Sequence, residues 1–404
     1  MAWTTGPRPR TTAANATKTV DLPGSRADGF PRCRDAEQET ILIALSRNDT
    51  DSLPKGESPD PVWGAVAGLP VQPGPDDAAR LTALAALISA ATAAAVIPGA
   101  ETMLAADEVR QARLLNRFRR LQGEKWAAAL MEAGIPNVAL KGLASAHCLY
   151  PSPDDRAVSD ADLLIRPSDL GAALKLLTAR GFAFAETPTR SPWGFVSEAS
   201  FQPLIGEDGA NIDLHVQAAA HPFERVLPVA DIMAQSCGAG AAGLRVPAPE
   251  HRFLIAAAHA AGDLFTADAI KSVIDGLLML RRASDLDWTG MRRRVDAGGM
   301  RRPVTAYLAL LGALGGDIAP AGRAGFEPER VRGPTLARVI ADHRAVFVDR
   351  PEPSALERLR REAALAASWP VLARRNWRRL TGLLRPRRGR PDGETGGAMA
   401  RRLP

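Results

Sequence analysis

The chain is poor in aromatic residues: Phe, Trp and Tyr make up 5% of its 404 residues. Its core must therefore be built from aliphatic side chains and alanine. It has three cysteines, Cys33, Cys148 and Cys237, far apart and odd in number, with no CxxC pair. That spacing excludes a cysteine zinc cluster and fits free thiols in a reducing cytoplasm. The first twenty residues contain no apolar core of a secretory leader. The longest apolar run, LTALAALISAATAAAVI over 81–97, is mostly alanine and shorter than the roughly 20 residues of a membrane span. We read it as one buried helix. GxxxxGK[ST], HExxH, GxSxG and a strand-linked GxGxxG are all missing, which excludes P-loop, zincin, α/β-hydrolase and dinucleotide-binding readings. No fixed-period repeat is apparent.

Charge of one sign is concentrated rather than spread. The formal net charge is +6, but residues 374–404 hold ten arginines against Asp392 and Glu394, a local +8, so the remainder is about −2. A nucleic-acid-binding body needs a basic face outside such a tail, and no firm nucleic-acid partner follows. The tail RRNWRRLTGLLRPRRGR, which interleaves Trp377 and three leucines, is expected to be a solvated basic segment able to contact an anionic partner.

Residues 1–34 are rich in Pro, Gly, Thr and Arg and are expected to be disordered, with a short helix at 36–46. Helices are expected over 77–97 and 105–133. In the second, Leu114, Phe118, Leu121 and Trp126 mark an apolar face and Gly134 ends the element. The texture then changes. IPNVALKG (135–142) predicts a strand running into a glycine turn at Gly142, LASAHCLY a helix, PSPDDR a loop, and DADLLIR (160–166) a strand. A helix follows over 167–181, with Pro167 in its first turn and Ser168 or Asp169 as cap. FAFAE, WGFVSEASFQPLI and ANIDLHVQ alternate as three further strands. From 227 onward only helices are expected, near 249–265, 269–283, 288–299, 302–314, 334–348 and 354–382. The fold class is α+β, a small mixed-sheet domain (134–225) flanked by helical regions at 35–133 and 226–383, with a basic disordered tail at 384–404.

Within the strand 160–166, side chains alternate between faces, so Asp160 and Asp162 share one and Leu163 and Ile165 take the other. Like charges on adjacent same-face positions repel unless solvent or a cation intervenes. Hard carboxylate oxygens at this spacing suit Mg²⁺ or Mn²⁺. Asp213, between Ile212 and Leu214, repeats the pattern. If its strand lies beside the first, three carboxylates converge, a set able to clamp an in-line phosphoryl displacement between two ions. The competing reading is a structural acidic pair at a strand end.

The order of strand, Lys141-Gly142 turn, helix, D-x-D strand and later h-D-h strand resembles the nucleotidyltransferase fold of the DNA polymerase beta superfamily. LKGLASAHCLYPSPDDRAVSDADLLI followed by NIDLH is similar to a bacterial family of uncharacterised nucleotidyltransferase-like proteins, over about 130–220. The resemblance implies metal-dependent transfer of a nucleoside monophosphate (NMP) from a nucleoside triphosphate (NTP) to an unidentified small-molecule, peptide or protein acceptor. It assigns Asp160, Asp162 and Asp213 to the metals and Gly142, Lys141, Ser145 and Arg156 to the phosphates. Asp213 would also help activate the acceptor hydroxyl. His215, on the same face as Asp213, would tune the metal site or contact the acceptor, with a hydrogen-bonded core histidine as the alternative. The resemblance further places His259 and Asp275 on helices against the cleft, with a buried polar pair between helices as the alternative. His147 and Cys148 are read as packing residues, and Arg292–Arg294 and Arg301–Arg302 as solvated charge runs.

The chain departs from the wider superfamily in one respect. The usual Gly-Ser turn is replaced by Lys-Gly-Leu, with Ser145 three residues after the glycine, and 17 residues separate Gly142 from Asp160. An active enzyme with an altered phosphate grip and a catalytically inactive nucleotide-binding or accessory protein, serving peptide modification or surface assembly, both fit that departure.

Overall fold

A computed structural model describes residues 78–366, apart from 98, 186–199, 201–202, 240–242, 282–285, 332 and 346–352, together with 373 and 377. The readings made for residues 1–77, for most of the strand expected at WGFVSEASFQPLI and for the basic tail apart from Trp377 lie outside the described residues.

The alanine-rich run opens the described chain as two helices, α1 (Ala78–Ile88) and α2 (Ala90–Val96). The expected single helix is broken at Ser89, whose φ of 84° no continuous right-handed helix admits. A short α3 (Ala100–Met103) leads to α4 (Ala106–Glu132), with Asp107 and Glu108 in its first turn, where the helix dipole favours acids. Gly134, at φ 76°, ends α4 as expected: Ile135 N–H reaches back to Leu130 O and Gly134 N–H to Met131 O. The face of α4 differs from the expected one. Leu114 and Phe118 are exposed, while Asn116, Gly123, Trp126, Ala127 and Leu130 are buried. Gly123 explains the rotation. A Cβ there would lie 3.0 Å from both Ala161 and Leu143, so the helix backbone rests directly on the sheet and the next helix.

Five strands form one mixed sheet: β1 (Asn137–Ala139), β2 (Ala161–Ile165), β3 (Ala183–Phe184), β4 (Leu204–Ile205) and β5 (Asn211–His215), in the order β1-β2-β5-β4-β3. The β2–β5 pair is parallel and the other neighbours are antiparallel. Every residue of β2 is buried, the reading expected of a central strand covered on both faces. Ala161, Leu163 and Ile165 pack with Trp126 and Leu130 of α4, while Leu164 joins Val138 and Leu140 in a second core made by helices. Between β1 and β2 lie α5 (Lys141–Leu149) and a 3₁₀ turn (Pro153–Asp155) capped by Ser152. After β2, residues Pro167–Asp169 form a 3₁₀ turn before α6 (Leu170–Ala179). Asp169 takes the N-cap position of α6, as expected, but its side chain makes no capping hydrogen bond. Ser168 Oγ donates to Asp169 instead, at 3.2 Å.

Beyond the sheet, α7 (Val229–Gln235) precedes a hairpin of β6 (Cys237–Ala239) and β7 (Leu244–Val246). Only helices were expected there, because Gly- and Ala-rich segments carry little β-propensity. The remaining helices are α8 (Pro249–Gly262), α9 (Ile270–Arg281), α10 (Trp288–Ala297), α11 (Arg301–Ala313), α12 (Ala319–Arg323), α13 (Pro334–Ala345) and α14 (Ala355–Arg361), with a π-helical turn at Glu362–Ala366. Phe253 of α8 is their aromatic centre, edge-on to Trp288 at 5.3 Å and to Tyr307 at 5.5 Å between ring centroids. Leu81 and Leu84 of α1 sit in the same core, so the helical segments before and after the sheet pack together. The result is an α+β fold, as expected. The arginine runs are not simply solvated: Arg294 pairs with Asp231 of α7 at 2.8 Å, and Arg292 lies over the Phe326 ring. No helix among the described residues is long and apolar enough to cross a membrane.

Candidate active site

Parallel pairing of β2 with β5 sets Asp162 opposite Asp213 and Leu164 opposite His215. Asp213 and His215 share a face because they are two residues apart in a strand. His215 Nε2 lies 2.7 Å from Asp162 Oδ1 and 3.4 Å from Asp213 Oδ2. Lys141 Nζ reaches the same Asp162 oxygen at 2.6 Å. Asp160 stands one residue before β2, at the cleft mouth, where its Oδ1 accepts a hydrogen bond from Ser159 at 2.7 Å.

These contacts order the charges. Burial alone would raise the Asp162 carboxyl, but Lys141 and His215 hold it well below the usual carboxylate range. Burial would lower the His215 imidazole, yet its hydrogen bonds to Asp162 and Asp213 push it up to about 9. Burial, then the neighbouring Asp162 charge, raises Asp160. Burial would lower Lys141, but the charge and hydrogen bond of Asp162, together with the charges of Asp160 and Asp213, hold it above its ordinary value.

One oxygen each from Asp162 and Asp213 and one nitrogen of His215 lie within 4.8 Å of one another, a grouping able to hold a metal ion. Asp213 Oδ1 is buried and has no hydrogen-bond partner among the described residues, as is His215 Nδ1. An unpartnered carboxylate oxygen inside an acidic cluster is what a cation site requires. The residues therefore fit a divalent ion. The carboxylates suit Mg²⁺ or Mn²⁺, and the imidazole shifts the preference toward a transition metal. Of the three aspartates singled out in the sequence, the strand register brings together Asp162 and Asp213, with His215 as the third member in place of Asp160.

A cavity of about 260 Å³ reaches this cluster at Asp162; Asp213 and His215 are not on its lining. Lys141, Gly142, Ser145, Asp160 and Asp162 line one side. The expected glycine turn is made by Lys141 itself, at φ 44°, while Gly142 lies inside the first turn of α5. Ser145 is buried one turn further on. Arg156 also borders the cavity, but its guanidinium is engaged. Nε and Nη2 donate to the two Asp275 oxygens at 2.9 Å each, and Nη1 donates to Ala157 O at 2.7 Å. Tyr150 Oη adds a third hydrogen bond to Asp275 at 2.9 Å. This clamp ties the segment before Asp160 to α9. His259 and Asp275 both border the cavity without pairing with each other: His259 Nδ1 faces Asp263 Oδ2 at 2.8 Å. His147 packs on α4, 2.6 Å from Glu124.

Two cavity residues went unnoticed in the sequence, Arg252 of α8 and Lys271 of α9. Their signal was present. Arg252, Ala256 and His259 form one row along a helix, and Lys271, Asp275 and Met279 another. Periodicity marks such rows as facing inward and does not say what they face.

A family model described as an uncharacterised nucleotidyltransferase matches residues 78–316, more than half of the chain. No match was found among curated proteins or among solved structures. The matched span runs from α1 into the turn after α11, so it contains the sheet, the acidic cluster and both helices that close the cavity. The chain belongs to this uncharacterised nucleotidyltransferase family.

Proposed function

We propose that the chain transfers an NMP from an NTP to a small-molecule, peptide or protein acceptor, in the manner of the DNA polymerase beta superfamily and in a bacterial cytoplasm. The observation that carries the reading is the in-register pair Asp162–Asp213, with His215 close to both, behind a cavity that Asp160 and Asp162 line together with cations. The scattered cysteines favour the reducing compartment.

Asp162, Asp213 and His215 would hold the ion, with Asp160 at the mouth completing the acidic set. Bound there, Mg²⁺ or Mn²⁺ would neutralise phosphate charge and favour the deprotonated acceptor. The chain's own groups do the rest. The N-terminal turn of α5, with Lys141 and Gly142, presents backbone N–H groups to phosphate oxygens. Asp213 Oδ1 takes the proton of the acceptor hydroxyl. The acceptor oxygen bonds to the α-phosphorus, the bond from that phosphorus to the bridging oxygen breaks, and pyrophosphate leaves with the electron pair.

A second reading, a catalytically inactive nucleotide-binding or accessory protein, draws on a specific contact. Lys141 and His215 both neutralise Asp162 from within the protein, on one oxygen. The test is Mg²⁺-dependent NTP binding and pyrophosphate release by wild type and by Asp160→Asn/Asp162→Asn. The enzyme reading expects both in wild type and neither in the variant. Binding without release by wild type, across a panel of acceptors, would favour the accessory protein.

A further inference from the structure

Arg252 is the most incompletely satisfied cation at the cavity. Its Nε and Nη1 are buried and have no hydrogen-bond partner among the described residues. Buried donors are almost always paired in native proteins, and a guanidinium fork matches the oxygens of a phosphate. Lys271 borders the same cavity from α9 and makes no ion pair among the described residues. Burial lowers its affinity for a proton, and the charge of Arg156 lowers it further. Both cations would thus be stabilised by an anion between them.

Most other charges of the lining are paired with one another. Arg156 and Asp275 cancel one another in their own clamp. The acids left on the lining are Asp160, Asp162 and Asp268, and Asp162 is already paired with Lys141 and His215. At about 260 Å³ the cavity is smaller than the roughly 300–1,000 Å³ of sites that enclose a drug-sized ligand. It suits the phosphate end of a nucleotide, with the nucleoside outside.

We infer that Arg252 and Lys271 form a polyphosphate-binding wall, which holds the β- and γ-phosphates of the donor and then the departing pyrophosphate. This rests on the proposed transfer reaction and supplies the grip that a Lys-Gly-Leu turn, in place of Gly-Ser, leaves incomplete.

The experiment is calorimetric titration of the full chain with inorganic tripolyphosphate in Mg²⁺, for wild type, Arg252→Gln, Lys271→Gln and Arg252→Lys, alongside pyrophosphate release from NTP. Each Gln variant is expected to lose roughly tenfold or more in tripolyphosphate affinity, and Arg252→Lys less. Circular dichroism identifies any variant that fails to fold, in which case Lys271→Gln and Arg252→Lys carry the comparison. Wild type that binds no tripolyphosphate, or Gln variants that bind it as wild type does, would overturn the wall. Pyrophosphate release undiminished in both Gln variants would overturn it while leaving the transferase standing. Tripolyphosphate binding that depends on both residues, in a protein that releases no pyrophosphate, would keep the wall and remove the transferase.

Discussion

Asp162 and Asp213 stand opposite each other across the parallel β2–β5 pair, and one imidazole nitrogen, His215 Nε2, lies 2.7 Å from the first and 3.4 Å from the second. The two aspartates are not equivalent. Asp162 Oδ1 already receives two cationic groups, whereas Asp213 Oδ1 receives none among the described residues. Asp213→Asn should therefore abolish pyrophosphate release at little cost in stability. Asp162→Asn should abolish it and also destabilise the apo protein by about 2–4 kcal/mol, because Lys141 and His215 lose their counter-charge. Urea unfolding of both variants without metal checks the difference. Equal midpoints would mean that the Lys141–Asp162–His215 contacts contribute nothing net.

A metal ligated by His215 must displace its proton, and the imidazole is held at about 9. Mn²⁺ affinity should then rise with pH, approaching tenfold per unit between pH 7 and 8.5. A flat profile over that range would leave the carboxylates as the only ligands, with His215 remaining an imidazolium beside them.

Lys141 combines a charge with a backbone at φ 44°. Lys141→Ala removes the charge and keeps the strain, whereas Lys141→Gly removes both. The glycine variant should be the more stable of the two, by about 1 kcal/mol, measured by thermal melting. An alanine variant as stable as the glycine variant would argue against a strained turn.

Arg156 and Asp275 are both buried, with two N–H groups of one donating to the two oxygens of the other. Asp275→Leu strands a buried guanidinium and should cost about 3–5 kcal/mol. Arg156→Met/Asp275→Leu should cost considerably less. Denaturant titration of the single and double variants reads the difference directly. A double variant as unstable as the single would show that the clamp matters for shape rather than charge.

His343 lies fully buried on α13, and burial, assisted by the nearby Arg361 charge, lowers its imidazole to about 4. Unfolded, a histidine titrates near 6.5. Between those values the unfolded chain takes up a proton that the fold refuses. Stability is thus fully present above about pH 6.5 and falls as pH drops toward 4, by about 3 kcal/mol from this group. His343→Leu should flatten that part of the pH profile of unfolding. A slope identical to wild type would assign the acid loss to other groups.

How much of this was legible in the sequence follows from the range of each interaction. The D-x-D strand, the helix after Lys141 and the later I-D-L strand follow from periods of two and 3.6, and they appear where those periods put them. The bond between His215 and Asp162 depends on which strands are neighbours and in what register, information absent from either strand alone. The break at Ser89 is set by tertiary contacts, among them Asn116 donating to the Ser89 hydroxyl at 3.3 Å, and alanine propensity cannot foresee it. On α4 the large side chains misled, because Gly123 made a closer seat on the sheet than Leu114 or Phe118 could. Arg252 reads as any helical arginine until the fold brings it to the same cavity as Lys271 of α9.

The two faces of β2 belong to different cores, Leu163 and Ile165 to one and Leu164 to the other. The acidic strand is consequently not a cassette. A fragment limited to 134–225 would keep every carboxylate of the site and lay Val138, Leu140 and Leu164 bare to water, a template for self-association. Exchange of this segment between relatives should succeed only when α1 and the helices from α8 onward travel with it.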